Sequence, residues 1–417
     1  MILQGSGRDT RFPSLDIVRG VAVLGILTMN IVAFADVPAA YLNPTATGPA
    51  GTLDTLLYLA QFVLFDGKMR GLFSVLFGAS MLLVIERAQA DGRSPAQVHF
   101  ARMGWLLAFG LAHLYLIWWG DILAQYALVG MIAYAFRRQA THQLIVTGIV
   151  LVALQTITMA GLPVAVATAQ AGQPDPASAV RTLVELERAF GRPDPAHIAQ
   201  QLAAYRGSYA DAVAFRWRVY AGTPWNALLQ NGFETLAYML FGMAAFRSGL
   251  LTGGWERRRL LRLATLSFGI SLPIYLLLAF YLAARGFDLY AIVLAVLTLP
   301  VPVRPVMIFG WIPLTLLAVP PGSASARRLA ATGRMAFSNY IATSLVCTAI
   351  FYGHGLALFG RLDRAQLVPV VLLVWALILA WSQPWLQRFS NGPLEWLWRS
   401  LARGRIEPLR KVATATQ

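Results

Sequence analysis

The sequence predicts an all-α fold, a polytopic transmembrane helical bundle. Of the 417 residues, 57% are hydrophobic and 13% are charged, whereas about 25% are charged in an ordinary soluble domain. The apolar residues form separate runs of about 17 to 25 residues, the length with which a helix crosses a hydrocarbon core about 30 Å thick. The arginines lie in short connections between these runs, so the net charge of +15 indicates membrane topology rather than nucleic-acid binding.

We expect about ten membrane segments, two of them irregular. The second contains FDGKMRG, with Lys68 and Arg70, and the eighth contains PVPVRP around Arg304. Proline interrupts helical hydrogen bonds, and irregular backbone at membrane depth is tolerated only inside protein or beside a water-filled cavity. Both segments are therefore predicted to be broken or re-entrant. The ten segments are residues 17–35, 56–85, 103–119, 122–136, 143–163, 228–246, 263–283, 289–320, 336–353 and 366–383.

The basic residues predict the orientation of the chain. Arginine-rich short connections normally lie on the cytoplasmic side, and here they follow the even-numbered segments. This pattern predicts a multi-pass membrane protein with both termini in the cytoplasm. Four units follow: transmembrane helices 1–5 in residues 1–163, a small external cap in 164–227, transmembrane helices 6–10 in 228–383, and a basic cytoplasmic tail in 384–417. The cap sequence has the apolar spacing of two amphipathic helices.

His113 and Asp121 are the most informative ionisable residues, because such groups inside a membrane usually face a bundle interior or a wet path. The His113 imidazole can exchange a proton near pH 7, although packing against a neighbouring helix explains it equally. A straight helix would separate the two residues by about 12 Å, too far for contact. Asp121 is expected to cap the following helix, to line an external mouth with Tyr126, or to orient His113 through water or another helix.

Other polar residues suggest a second, cytoplasmic site. Asp16 and Arg19 are three positions apart, the spacing of an ion pair on one helix face, and an anion site is the alternative. The Asn30 amide can hydrogen-bond across a helix interface. Arg334, together with Lys68 and Arg70, could form a phosphate-binding pocket, or these side chains could extend to lipid headgroups.

Several kinds of site are excluded by the sequence. It contains no nucleotide-binding Gly-Lys-Ser/Thr loop, no HExxH, no CxxC and no GxSxG in a convincing context. The single cysteine, Cys347, lies within an apolar run, which rules out disulfides within one chain and cysteine metal sites. We expect no metal.

Five stretches together resemble one family. They are SLDIVRGVAVLGILTMN, MRGLFSVLFGASMLLVIERA, AHLYLIWWGDILAQYALVG, GRMAFSNYIATSLVCTAIFYGHGLALFG and GPLEWLWRSL. In this order they resemble the YeiB-like bacterial inner-membrane proteins, a family with a domain of unknown function. That family is distantly similar to the transmembrane acyltransferases that include the heparan-glucosaminide N-acetyltransferase. These enzymes share a DxxRG element, which Asp16, Arg19 and Gly20 match here.

The resemblance implies that an acyl group moves from cytosolic acyl-CoA, such as acetyl-CoA, to an external glycan or small polar acceptor. It makes His113 the general base or transient acyl carrier, with Asp121 and Tyr126 facing the acceptor. The phosphates and pantetheine of the donor would be organised by Asp16, Arg19, Lys68, Arg70 and Arg334. Further candidates for substrate or cofactor binding are Asn30, Asn339 and Tyr340.

Two other functions remain open at this level. A transporter or permease for a small polar or anionic solute would show similar inward polar groups and broken helices. An accessory subunit would use its polar groups only for helix packing. The expected partners are membrane lipid, acyl-CoA, the acceptor and, for a homodimer, a second copy of the chain.

Overall fold

A computed structural model describes residues 12–411, so that residues 1–11 of the first predicted unit and 412–417 of the predicted tail lie outside it. Eighteen α-helices make up most of the described range, where the one β pairing is an isolated bridge between Phe389 and Arg410. The helices are α1 (Pro13–Ala35), α2 (Ala39–Leu42), α3 (Thr52–Leu64), α4 (Lys68–Ala90), α5 (Pro95–Ala112), α6 (Leu123–Ala133), α7 (Thr141–Gln170), α8 (Pro176–Phe190), α9 (Pro195–Arg206), α10 (Tyr209–Tyr220), α11 (Thr223–Arg247), α12 (Arg257–Ala284), α13 (Leu289–Ile292), α14 (Pro300–Ala318), α15 (Ala324–Arg334), α16 (Ala336–Phe351), α17 (Arg364–Arg388) and α18 (Pro393–Arg403).

Six helical stretches in the described range are long and apolar enough to cross a membrane. The protein is therefore a helical membrane protein. The other four predicted segments are helical as well, in α6, α11, α13 with α14, and α16, but they are shorter or more polar. The six stretches are Pro13–Ala35, Thr52–Ala90, Pro95–Ile117, Thr141–Gln170, Arg257–Ala284 and Arg364–Arg388.

The two segments predicted to be irregular differ from each other. Between α3 and α4 the chain breaks at Gly67, whose φ of 67° is left-handed and favours glycine. By contrast, residues 289–318 stay helical apart from a turn at Leu299, with a π-helical stretch at Val293–Thr298. Its prolines are accommodated at the start and along one side of α14 rather than by a return of the chain.

Glycines allow the central helices to pack closely. A Cβ atom at Gly78 of α4 would lie 2.0 Å from the carbonyl oxygen of Met239, and one at Gly242 of α11 would lie 1.9 Å from that of Val75. Only residues without a side chain fit at such a crossing. The close crossing of α4 and α11 brings their polar side chains together inside the bundle.

The cap contains three helices rather than the two predicted. The stretch HIAQQLAAYRGSYADAVAFRWRVY was expected to form one helix, but α9 ends before Gly207 and Ser208 starts α10 by accepting a hydrogen bond from the Asp211 amide at 3.2 Å. In addition, α7 continues to Gln170, beyond the predicted boundary at 163. We call the end of the bundle that carries α8, α9 and α10 the cap end, and the opposite end, where α1 begins, the arginine end.

The predicted tail is a folded part of the molecule up to the last described residues. Helix α17 continues to Arg388, and α18 packs against α5 and α16. The Trp398 indole N–H donates to the Arg102 carbonyl oxygen at 2.8 Å, and the Glu395 carboxylate accepts from the Phe337 amide at 2.8 Å. The reason is that α18 is amphipathic, and Leu394 and Trp398 on its apolar side pack, partly buried, against the core of the bundle.

Candidate functional site

The local fold at the end of α5 brings His113 and Asp121 together. The helix becomes π-helical over His113–Ile117, and Trp118 is extended, which ends the helix and reverses the chain. Gly110 allows the returning chain to approach, since a Cβ atom there would lie 2.3 Å from the Ala124 nitrogen. The expectation of a straight helix that keeps the two residues apart was therefore wrong.

His113 takes part in hydrogen bonds at both ring nitrogens. Its Nδ1 lies 2.9 Å from Asp121 Oδ1, and its Nε2 lies 2.9 Å from Ser344 Oγ. The side chains of His113 and Asp121 are both 1% exposed. Because a carboxylate only accepts, Nδ1 carries the proton, and the Nε2 lone pair accepts from the Ser344 hydroxyl. The imidazole is thus held in the tautomer that can remove a proton at Nε2.

Asp121 has two structural roles at once. Its second oxygen, Oδ2, accepts from the Ala124 amide at 2.7 Å and so caps the start of α6. Capping was one of the roles predicted for this residue, and the other oxygen contacts His113 directly rather than through water or another helix. Because each oxygen has its own donor, the carboxylate orientation is fixed relative to the imidazole.

Tyr340 supports the same turn from α16. Its hydroxyl donates to the Gly120 carbonyl oxygen and accepts from the Ile122 amide, both at 3.3 Å. Its ring centroid lies 5.1 Å from that of His113. Tyr340 therefore holds the loop that carries Asp121 against the helix that carries Ser344.

A central cavity of about 320 Å³ connects this group with the arginine end. Arg19 and Phe34 both line it, and they are 15 positions apart in α1, which is about 22 Å along a straight helix. Ser344, Tyr340 and Trp118 line its inner end, where the Trp118 ring stacks on Phe34 at 3.8 Å. The walls between the two ends are mostly apolar.

Four arginines line the other end of the central cavity, and all four are partly exposed. They are Arg19, Arg102, Arg334 and Arg399. Arg19 pairs with Asp16 at 2.9 Å, the ion pair expected from their spacing, and also donates to Ser80 Oγ at 2.7 Å. Concentrated positive charge at a cavity mouth attracts anions.

The mouth also contains one buried carboxyl. Glu395 of α18 accepts hydrogen bonds from two backbone amides at the start of α16 and from the Ser338 hydroxyl. Burial raises the pKa of Glu395, and these hydrogen bonds oppose the rise. Its bonds fasten α18 to the helix that carries Ser344.

The remaining predicted residues divide between the cavity and the helix interfaces. Asn30 and Tyr126 line the cavity, and the Tyr126 hydroxyl donates to the Arg70 carbonyl oxygen at 3.0 Å. Asn339 does not line it; its amide donates to the Thr332 carbonyl oxygen at 3.0 Å and to Ser382 Oγ at 3.1 Å. Its position is that of a packing residue.

Lys68 and Arg70 do not join Arg334. Arg70 and Arg304 both form ion pairs with Glu234, which is 1% exposed, while Lys68 donates to the Phe62 carbonyl oxygen. We call these four side chains, Lys68, Arg70, Glu234 and Arg304, the Glu234 cluster. The expected common phosphate pocket is wrong in this respect, since Glu234, on a distant part of the chain, pairs with Arg70, and Lys68 is buried with its ammonium on the Phe62 carbonyl oxygen. None of the four lines the central cavity.

Sequence reasoning missed several residues of this site. Ser344 lies within one of the five family stretches but in no catalytic motif, and a further signal is its place four residues after Tyr340, on the same face of a helix. In the sequence, Arg102 and Arg399 only contributed to the prediction of which connections face the cytoplasm. Among the described residues, no group of three or more His, Cys, Asp or Glu side chains could hold a metal ion.

Comparison with known proteins identifies the family. A model described as a protein of unknown function, DUF418, matches residues 245–405. The uncharacterized protein YeiB of Escherichia coli strain K12 is 34% identical over 403 residues, which cover 93% of this chain and 95% of that protein. This chain belongs to the YeiB-like DUF418 family.

Another relative extends the family to a second genus. The uncharacterized protein YxaH of Bacillus subtilis strain 168 is 28% identical over 424 residues, which cover 98% of both chains. No solved structure matches this member of the YeiB-like family. The part that the DUF418 model matches contains Ser344, Arg334 and Arg399, whereas His113 precedes it.

Proposed function

We propose that this YeiB-like protein is a membrane acyltransferase. In this proposal the acyl group comes from acyl-CoA, which enters at the arginine end, and passes to a hydroxyl or amine of a glycan or small polar acceptor from the cap end. The arginine end faces the cytoplasm of a bacterium, as expected for arginine-rich connections. One observation carries the proposal: an oriented His113 beside a cavity whose other end is lined by four arginines.

Each part of the cavity matches part of an acyl-CoA. Guanidinium groups bind phosphates through paired, charge-assisted hydrogen bonds, so the arginines suit the nucleotide portion. The apolar walls suit the uncharged arm that joins the nucleotide to the thioester. Asn30 supplies an amide N–H in the same cavity, a group that can stabilise negative charge on a carbonyl oxygen.

The chemistry at the inner end requires a base. His113 Nε2 can accept the proton of an attacking hydroxyl or amine, and Asp121 stabilises the imidazolium that forms. Because both side chains are almost fully buried, their electrostatic interaction is stronger than it would be in water. The reaction needs no group beyond those of the donor, the acceptor and these side chains.

The first test is binding of acetyl-CoA and of a longer acyl-CoA to the purified protein in detergent, measured by calorimetry. We expect saturable binding that Arg19→Ala and Arg399→Ala each weaken about tenfold or more, since a hydrogen bond to a charged group contributes about 1.5–3 kcal/mol. Arg258→Ala is the matched control, because Arg258 is an exposed arginine of α12 outside the cavity. His113→Ala should retain binding.

The contrary result is equally clear. The acyltransferase proposal is wrong if the wild-type protein binds neither acyl-CoA at about 1 mM. Half-saturation at that concentration requires a binding free energy of only about 4 kcal/mol. Transport of a small anion would then be the function to examine.

A further inference from the structure

We propose that Ser344 is the group that carries the acyl chain during transfer, so that the reaction proceeds through an acyl-serine in the centre of the membrane. This inference rests on the proposed acyltransferase function and makes it more specific. It assigns covalent chemistry to Ser344 and proton transfer to His113.

The position of Ser344 is the first argument. Ser344 lines the central cavity, whereas His113 does not, and the Ser344 hydroxyl is hydrogen-bonded to the imidazole at 2.9 Å. A thioester that reached the inner end of the cavity would therefore meet Ser344 Oγ before His113 Nε2. A nucleophile needs this access to its carbonyl, and a general base needs only the proton.

The hydrogen bonds of Ser344 are the second argument. A serine within a helix normally donates to the carbonyl oxygen four residues earlier, and here that contact, with Tyr340, is long at 3.3 Å. The contact with His113 Nε2 is shorter, at 2.9 Å. With Asp121 behind His113, the three side chains form the serine–histidine–aspartate arrangement that activates hydroxyl nucleophiles.

The shape of the cavity is the third argument. At its inner end Phe34 stacks on Trp118, whose indole N–H donates to the Ala33 carbonyl oxygen, and no residue of the cap helices α8, α9 and α10 lines the cavity. Donor and acceptor arriving from opposite ends therefore do not meet in one open passage. An acyl-serine allows the donor to leave before the acceptor takes the acyl group.

The two steps balance without any further reactant. In the first, Ser344 Oγ attacks the thioester carbonyl carbon and its proton passes to His113 Nε2. The carbon–sulfur bond breaks, and the CoA thiolate leaves with that proton. In the second, the acceptor hydroxyl or amine attacks the serine ester and gives its proton to Nε2. The bond to Ser344 Oγ then breaks, and the serine oxygen regains the proton.

The test measures exchange of labelled free CoA into unlabelled acetyl-CoA by the full-length protein in detergent, without acceptor. Exchange requires an enzyme-bound acyl group and the release of CoA. We expect exchange in the wild type, loss of at least 100-fold in Ser344→Ala, and little change in Thr348→Ala. Thr348 is a suitable control because its hydroxyl is buried in the same helix and donates to the Leu345 carbonyl oxygen, but it does not line the central cavity.

Two further measurements keep the interpretation unambiguous. Peptide mapping after an acid quench should place the acetyl group on Ser344 in the wild type. Calorimetry should show that Ser344→Ala still binds acetyl-CoA, which separates lost chemistry from lost folding.

Failure of this inference differs from failure of the proposed function. If acetyl-CoA is bound and the acyl group is transferred, but neither exchange nor a serine adduct forms, Ser344 only orients His113 and the inference is wrong. An adduct on His113 would overturn it as well. If the wild-type protein binds no acyl-CoA, both proposals fall together.

Discussion

The bundle contains two buried polar groups that each include one carboxylate but differ in their partners and in their access to the central cavity. In the Glu234 cluster, the carboxylate is paired with two guanidinium groups, and the cluster lies outside the central cavity. In the group of His113, Asp121 and Ser344, the carboxylate is bonded to an imidazole, and Ser344 lines the cavity. Burial of a charge near another charge is therefore a poor guide to function. Access of a side chain to a cavity where a ligand could bind is a better guide.

The difference follows from what each carboxylate is bonded to. Glu234 accepts from Arg70, Arg304 and the Tyr238 hydroxyl, the last at 2.7 Å, which leaves it no role except to neutralise its neighbours. Asp121 accepts from a backbone amide and from an imidazole that can gain and lose a proton. We expect the first group to determine stability and the second to determine activity.

The largest expected effect is the loss of stability in Glu234→Ala. Removal of the carboxylate leaves the Arg70 and Arg304 guanidinium groups without their counter-charge, and breaking a buried ion pair costs about 3–5 kcal/mol. Unfolding by denaturant in detergent should show a decrease of this size. Asp91→Ala is the control: the Asp91 and Arg93 side chains are 59% and 39% exposed, and exposed pairs contribute about 0–1 kcal/mol. Equal effects in the two variants would contradict the role assigned to the cluster.

Asp121→Asn should reverse this pattern, with a large effect on activity and a small one on stability. Asparagine can still accept from the Ala124 amide, so α6 stays capped, but the imidazolium at His113 loses its counter-charge. We expect the rate of acyl transfer to fall about 100-fold or more, with the affinity for acyl-CoA unchanged. Asp288→Asn is the matched control, since Asp288 caps α13 by accepting from the Ala291 amide at 2.8 Å. A rate within threefold of the wild type, roughly the change from loss of one weak contact, would argue against a chemical role for the pair.

The smallest expected effect on function is that of Lys68→Met. The ammonium lies over the Tyr275 ring, 3.4 Å from its centroid, and does not line the central cavity. Substitutions at distant sites without shared partners have independent free-energy effects to within about 0.5 kcal/mol. The affinity of Lys68→Met for acyl-CoA should therefore stay within about twofold of the wild type. Arg19→Ala in the same calorimetric series provides the contrast. Weakening of the same size in both variants would mean that Lys68 belongs to the donor site after all.

The sequence predicted part of the candidate site. His113, Asp121 and Arg19 stood out because ionisable groups inside apolar runs are costly, and the Asp16 pair followed from helical spacing. Ser344 could not be found in this way, since hydroxyls are common in membrane helices and only the fold places this one beside Nε2. Arg70 was placed in the wrong group because its tertiary partner, Glu234, lies 164 positions later. Lys68 was placed there because the sequence does not show that its ammonium is buried on the Phe62 carbonyl oxygen.

By itself the sequence determined that this protein is a helical membrane protein, since hydropathy and segment length depend only on local composition. It also determined the family, through stretches distributed along nearly the whole chain. Only the tertiary structure decided that the chain reverses after Ile117 and sets Asp121 against His113. It alone decided which cations are neutralised and which line a cavity. The physical reason is that burial and pairing depend on contacts between distant segments, which hydropathy and helical spacing do not contain.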